Sequence, residues 1–583
     1  MEEGNQHTDN IWEGYVDWKN RPAMKTRHGG LLAASFILVV EVLENLAYLA
    51  NASNLVIYLS QYMNFSPSDS ANTVTNFMGT AFLLALVGGF LSDALCTTYY
   101  IYLFSAAVEL LGLVILTLQA NSSSLQTGSC DEATSTSPCH HITSKQAAIF
   151  FTGLYLVALG VGGIKGSLPA HGAEQFDDST VKGRHQRSTF FNYFVFALSC
   201  GALVAVTLVV WIEDNVGWKW GFGISTLTIL LSIPVFLAGS ALYRNKVPSG
   251  SPFTSILKVL VAACLNSCMP RSSSTAIANI SGSPSSPSRA SNQTDDKPKI
   301  FHTNITPTSS LKFLNTAVTN KPFFSTLECS TEELEDVKVV VKIFPIFACT
   351  IMLNSCLAQL STFSVHQAAT MDRKLGPLNV PPASLPVFPV VFIMALAPVY
   401  DHLILPAARK VTKTEMGITH LQRIGIGLVL SIFAMAVAAA VEIKRHNVAS
   451  TSGLLDSSEP LPITFFWIAL QYLFLGSADL FTLAGLLEFF FTEAPANMRS
   501  LATSLSWASL AVGYYLSSVI VSIVNSVTGN AAHQPWLSGS NLNQYRLENF
   551  YWLMCGLSFI NFLHYLFWAK WYKYRSTNAS IPK

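Results

Sequence analysis

The stretch 39-VVEVLENLAYLAN-51 sets two carboxylates, Glu41 and Glu44, inside an apolar run that begins near Gly30, with Asn45 and Tyr48 close behind. At about 100° per residue these four side chains fall on one face of a helix. A charge at mid-bilayer depth costs about 2.5–3.5 kcal/mol on the insertion scale, and two carboxylates on one face repel each other when both are ionised. Such a pair is suited to taking up and releasing a proton, which is what proton coupling needs. The plainer alternative is a pair of structural carboxyls hydrogen-bonded to neighbours. Two more charges sit in apolar surroundings: Lys165 in 160-GVGGIKGSLPAHGAEQFD-177 and Glu488 in 485-GLLEFFFTEAP-495. They belong to opposite halves of the chain. If their helices meet across a central cavity, a Lys165–Glu488 salt bridge would hold one face closed. Protonating Glu488, or delivering an anion to Lys165, would open it, which is a physical route to alternating access. The glycines around Lys165 fit close helix packing, because no P-loop signature accompanies them.

The elements that position these residues are membrane spans. The 583 residues are 50% hydrophobic and only 12% charged, with a mean hydropathy of +0.39, whereas soluble proteins carry about 25% charged residues. Twelve stretches approach the ~20 apolar residues a span needs: roughly 30–58, 76–96, 100–119, 147–168, 189–212, 219–243, 338–362, 384–405, 420–442, 462–491, 501–526 and 549–570. Isolated spans must satisfy their own backbone groups, so the expected class is all-α and polytopic. The opening residues are polar and acidic without a leader pattern, which predicts a cytoplasmic start. Lys and Arg concentrate in the segments this places inside; the predicted outer loops hold seven, Lys145, Lys219, Arg373, Lys374, Lys444, Arg445 and Arg546, as the positive-inside rule requires. A net charge of +1 gives no reason to expect nucleic acid as a partner; the lipid bilayer is the expected surrounding.

A long polar insert divides the spans six and six. The expected organisation is a cytoplasmic N-terminus (1–29), a six-helix bundle (30–242), a cytoplasmic linker (243–337), a second bundle (338–572) and a cytoplasmic tail (573–583). Within the linker, 251-SPFTSILKVLVAACLNS-267 reads as an amphipathic helix, either on the membrane surface or packed between the bundles. Residues 270–300 are rich in Ser, Pro and Asn, a composition that cannot bury a core; they read as a passive linker or a kinase target. Cys130 and Cys139 share a predicted outer loop, as a disulfide or as free thiols. No HExxH, GxSxG or His–acid cluster points to an enzyme.

These residues, with 16-VDWKNRPA-23, 54-NLVIYL-59, 76-NFMGTAF-82, 88-GGFLSD-93, 190-FFNYFVFALSCG-201, 335-EDVKVVVKIFPI-346 and 380-VPPASL-385, resemble the proton-coupled oligopeptide transporter family of the major facilitator superfamily. The resemblance is strongest to its plant nitrate/peptide transporter branch, and there to a subgroup of low-affinity nitrate and abscisic-acid importers. It implies the major facilitator fold, twelve transmembrane helices in two six-helix bundles; the membrane is plasma or vacuolar, with the plasma membrane the expected one. It also implies secondary transport driven by the proton gradient, with no bound cofactor. Glu41 and Glu44 match the family's coupling acids, and Lys165 and Glu488 its gating pair and anion anchor. Asn45 stands where the family has a basic residue, so facilitated flux without coupling is an alternative, as is a solute sensor of the same fold. Leu357 stands where a nitrate-binding His is known in the family, and His366, nine residues on, lies too far along a helix to replace it. The predicted pocket comprises Asn45, Tyr48, Asn354, Leu357, Ser361 and Trp507. A small hard anion finds few donors there. An apolar acid anchored on Lys165 fits better, so abscisic acid ranks above nitrate, with gibberellin a third possibility and peptides last. Glu109 and Asp479 are intramembrane acids with no role assigned from sequence.

Overall fold

The computed structural model describes residues 10–65, 67–125, 143–248, 250–268, 308, 310–319, 327–359, 362–376, 378–380, 382–414, 416–456, 459–529, 535–538 and 542–574. The predicted disulfide, the Ser/Pro segment and Ser361 lie outside these residues.

Among the described residues, twelve helices are long and apolar enough to cross a membrane. The first six are α1 (Leu31–Tyr62), α2 (Pro67–Ala94), α3 (Thr98–Asn121), α4 (Ser144–Ala173), α5 (Val181–Asn215) and α6 (Trp218–Gly239). Helices α7 (Pro252–Cys268) and α8 (Lys312–Thr319) follow. The second set is α9 (Thr331–Ala358) continued by α10 (Phe363–Ala369), then α11 (Val387–Thr412), α12 (His420–Thr451), α13 (Phe466–Glu493), α14 (Arg499–Thr528) and α15 (Leu547–Trp571). This is the two-bundle, twelve-span architecture expected of the sequence.

Local chemistry sets several helix starts. Thr143 and Gln146 form a capping box at α4, and Thr419 and Gln422 form one at α12, each satisfying end N–H groups that the helix leaves open. Two helices carry a widened π turn, Ala205–Val209 in α5 and Tyr400–Ile404 in α11, a feature that re-aims side chains at functional places. The small residues of α4 admit neighbouring backbones. A Cβ built on Gly163 would meet Ser105, one on Gly88 would lie 2.7 Å from Gly163 Cα, and one on Gly166 would lie 2.6 Å from Gly89 N. This close approach of α2, α3 and α4 places Lys165 deep in its bundle.

Near the chain start, β1 (Ile11–Val16) pairs antiparallel with β2 (Pro22–Met24) and with β3 (Asn245–Lys246). Arg244 lies between the rings of Trp12 (4.1 Å) and Tyr15 (4.7 Å) and donates to the Glu174 and Phe176 carbonyls. The N-terminal strands are thereby tied to the end of α4. At the opposite ends of the helices, β4 (Met371–Asp372) pairs with β7 (Leu461–Thr464), beside a small hairpin, β5 (Lys374–Leu375) and β6 (Leu378–Asn379). A buried polar network braces the second bundle: Glu442 accepts from Arg445 (2.7 and 2.8 Å) and Gln367 (2.6 Å), and Tyr551 donates to Gln367.

Residues Pro252–Val341 form a second compact unit. Val259, Ala262 and Ala263 of α7 pack with Leu314 and Ala317 of α8 and with Leu334 and Val337. Lys258 pairs with Glu333 at 3.1 Å and Lys338 with Glu335 at 2.7 Å.

Candidate functional site

Four predicted residues come together. Lys165 Nζ donates to Glu41 Oε1 at 2.7 Å, to Glu44 Oε2, and to Asn45 Oδ1 at 3.3 Å. All three charged side chains are sealed from solvent. Asn45 also donates to the Leu198 carbonyl of α5 at 2.7 Å. It therefore holds α1, α4 and α5 together and does not supply the missing positive charge. Glu41 Oε2 and Glu44 Oε1 have no partner among the described residues. Trp507 of α14, from the other bundle, covers the Lys165 ammonium with its ring at 5.2 Å and stacks on Phe82 at 5.7 Å. Glu109 is a third buried carboxyl, its backbone against Gly160, with neither oxygen partnered among the described residues.

Glu488 is elsewhere. It lies 3.6 Å from His420 Nδ1 and 3.6 Å from Arg423 Nη1, both on the adjacent α12. The predicted Lys165–Glu488 salt bridge is therefore absent from this conformation. Lys165 already has two carboxylates in contact, and Glu488 has two basic groups on the helix beside it. His420 and Arg423 are functional neighbours that sequence reading missed, because both fall near a predicted helix start, where basic residues read as topology markers.

A cavity of about 590 Å³ lies between the bundles. Asn45, Tyr48, Asn354, Leu357 and Trp507 line it as predicted; Lys165 and Glu488 do not. This corrects the expectation of Lys165 as the anion anchor of the cavity in this conformation: its protons are committed to Glu41, Glu44 and Asn45, and Trp507 lies over it. The wall is mainly apolar, with Val56, Met78, Phe82, Val206, Ile393 and Leu486 among its residues, and among the described residues it includes no Lys or Arg. Three titratable residues not expected there, His366, Asp479 and Tyr514, also line it. A continuous helix would turn His366 about 180° away from Leu357. The break between α9 and α10, with Thr362 at φ −117° and ψ −92°, returns it to the same wall.

The lining residues reach from mid-depth toward the helix ends opposite the N-terminal strands. On the strand side the bundles are locked together. Asp93, at the end of α2, accepts from Leu501 N at 2.8 Å and Ser500 N at 3.3 Å, so a carboxylate caps the positive end of α14. Asp178 pairs with Arg499 at 2.7 Å and Arg187 at 3.3 Å. Burial pushes the Asp178 carboxyl up, but Arg499 and Arg187 outweigh it and hold it below the usual carboxylate range. Asp401, in the π turn of α11, accepts from Asn192 at 2.9 Å and Thr189 at 3.2 Å.

Two helical bundles around a solute-sized cavity, closed at one end by paired charges and reaching toward the other, define a membrane transporter rather than an enzyme. The comparisons agree. A model of the POT family, PTR2, matches residues 99–537. Protein NRT1/PTR FAMILY 4.6 of Arabidopsis thaliana is 67% identical over 578 residues, covering 97% of this chain and 98% of the relative. Protein NRT1/PTR FAMILY 4.5 of the same plant is 64% identical over 572 residues, covering 97% and 98%. Among solved structures, the POT family transporter PepTSo superposes with a TM-score of 0.61 at 18% identity, covering 92% of this chain and 98% of that one. An auto-inhibited POT family peptide transporter gives 0.59 at 17%, covering 94% and 99%. The chain belongs to the POT family, in its plant NRT1/PTR branch.

Proposed function

We propose that this transporter imports an apolar organic acid of the abscisic-acid type across the plasma membrane, with inward proton flow, by alternating access. Both termini are cytoplasmic in this reading, so the locked strand side is the inner gate and the cavity faces outward. The observation that carries the substrate class is the cavity wall: largely apolar, sized for a small organic molecule, and without a described Lys or Arg. Nitrate would lose its hydration shell there without a fixed cation to replace it, whereas an apolar body gains roughly 25 cal/mol for each Å² it buries.

Glu41, Glu44 and Lys165 form the coupling site. Two carboxylates against one ammonium leave one negative charge, and a proton held between the carboxyls brings the trio to zero. Glu41 Oε2 and Glu44 Oε1 are free to carry it among the described residues. Releasing that proton would leave both carboxylates ionised around one ammonium, and their mutual repulsion would shift the α1–α4 contact that positions Tyr48 and Asn45 in the cavity wall. Uptake in oocytes at about pH 5.5 and about pH 7.5, with abscisic acid, gibberellin and nitrate side by side, tests the reading. Saturable organic-acid uptake, stronger at the acid pH and not competed by nitrate, is expected. Nitrate accumulation with no organic-acid uptake would overturn it.

A further inference from the structure

Asp479 and His366 face the cavity, and neither side chain has a hydrogen bond or ion pair among the described residues. Gly476, Asp479, Leu483 and Leu486 recur at helical spacing on α13 and line the same wall. Nine residues along the helix, Asp479 is about 13 Å from the level of Glu488 and outside the His420–Arg423 group. The other titratable groups of the lining are Tyr48 and Tyr514. The same wall also includes Pro389 and Val390 of α11 and Val195 and Ser199 of α5. Gly427 of α12 packs against Ala478 and Thr482, while the charged Glu442 and Arg445 farther along α12 are bonded to each other.

We infer that Asp479 and His366 form a second proton-binding pair, in the cavity wall itself, which sets the charge the cavity presents to its solute. The inference rests on the organic-acid reading above. With Asp479 ionised and His366 neutral the wall carries one negative charge and repels a carboxylate. A proton on each makes the wall singly positive and cancels the solute's charge. Histidine is the side chain whose charge ordinarily changes between pH 5 and 8. The pair therefore makes solute and protons enter the cavity together, upstream of the Glu41–Glu44–Lys165 trio. A unit charge ~8 Å from the bound carboxylate, at an effective dielectric of about 20, changes affinity about thirtyfold.

The test is calorimetric binding of abscisic acid to the purified full-length protein, over a range of pH and in buffers of different ionisation enthalpy. This reads affinity and protons taken up together. Asp479→Asn is expected to take up about one proton fewer per ligand than the wild type and to bind about thirtyfold more tightly at neutral pH. His366→Gln is expected to lose one proton and to bind more weakly at acid pH. Asp479→Ser carries the same expectation as Asp479→Asn, so misfolding of one variant leaves the measurement standing. An Asp479 variant that melts as a folded protein but keeps the wild-type proton count, or fails to bind, overturns the inference. Wild-type binding with no proton uptake overturns it while leaving the organic-acid reading intact. Failure of the wild type to bind either abscisic acid or gibberellin at any pH would overturn that reading first, and this inference with it.

Discussion

Replacing Lys165 with Met keeps the volume of the side chain and removes its charge. In the native protein the ammonium is 2.7 Å from Glu41 Oε1 and also contacts Glu44. At an effective dielectric of about 20, a charge pair at that distance is worth about 6 kcal/mol before desolvation. Removing one partner of a buried pair costs about 3–5 kcal/mol net. The variant can avoid two unpaired buried charges by protonating both carboxyls, one proton more than the native trio holds. Each extra proton costs about 1.4 kcal/mol per pH unit above the free glutamate value near 4.3. Between about pH 7.5 and about pH 5.5 the cost per proton therefore falls by about 2.7 kcal/mol. The sign follows: acid selectively stabilises Lys165→Met relative to the wild type. Thermal melting of the purified protein across that range reads the effect, and labelled uptake should show that saturable transport is lost while surface expression remains. A variant with wild-type stability at both pH values would show that Lys165 does not neutralise Glu41 and Glu44, and the coupling scheme would fail.

Gly89→Ala would place a Cβ 2.6 Å from the Ser500 carbonyl, between the bundles and beside the Asp93 lock. It should cost the inner-closed state about 1–3 kcal/mol and raise labelling of a cysteine placed on the inner side; unchanged labelling would mean the α2–α14 contact does not gate. Asp178→Asn should weaken the same lock by about 1 kcal/mol, since the carboxylate is partly exposed. Because its folded-state pKa lies below the unfolded value, its contribution is fully present above about pH 4 and is lost only as pH falls further. The acid stimulation of uptake should therefore keep its midpoint in Asp178→Asn; a shifted midpoint would assign proton sensing to the gate.

The spans were legible because a 30 Å apolar layer imposes a simple rule on composition, and Glu41, Glu44 and Lys165 because a charge in such a run needs a partner. What was not legible depended on which neighbour is nearest. Glu488 has His420 and Arg423 beside it on α12, a pairing set by helix packing that no local pattern reveals. That His366 also reaches the cavity wall was not legible, because no sequence pattern marks that α9 ends at Ala358 and α10 begins at Phe363. The inner lock was missed for another reason. Asp93, Asp178 and Asp401 look like ordinary helix-end acids, and their meaning comes from partners hundreds of residues away. The same distance hid the strand pairing of Tyr15 with Lys246.

The most direct test of the central claim asks whether an organic acid occupies the cavity from outside. Ala52 lines the cavity and is small, so Ala52→Cys can be probed with a membrane-impermeant maleimide in intact cells. Labelling from outside that abscisic acid slows, more strongly at about pH 5.5 than at about pH 7.5, and that nitrate leaves unchanged, is the predicted result. Labelling from the cytoplasmic side alone, or protection by nitrate and not by abscisic acid, would contradict the account.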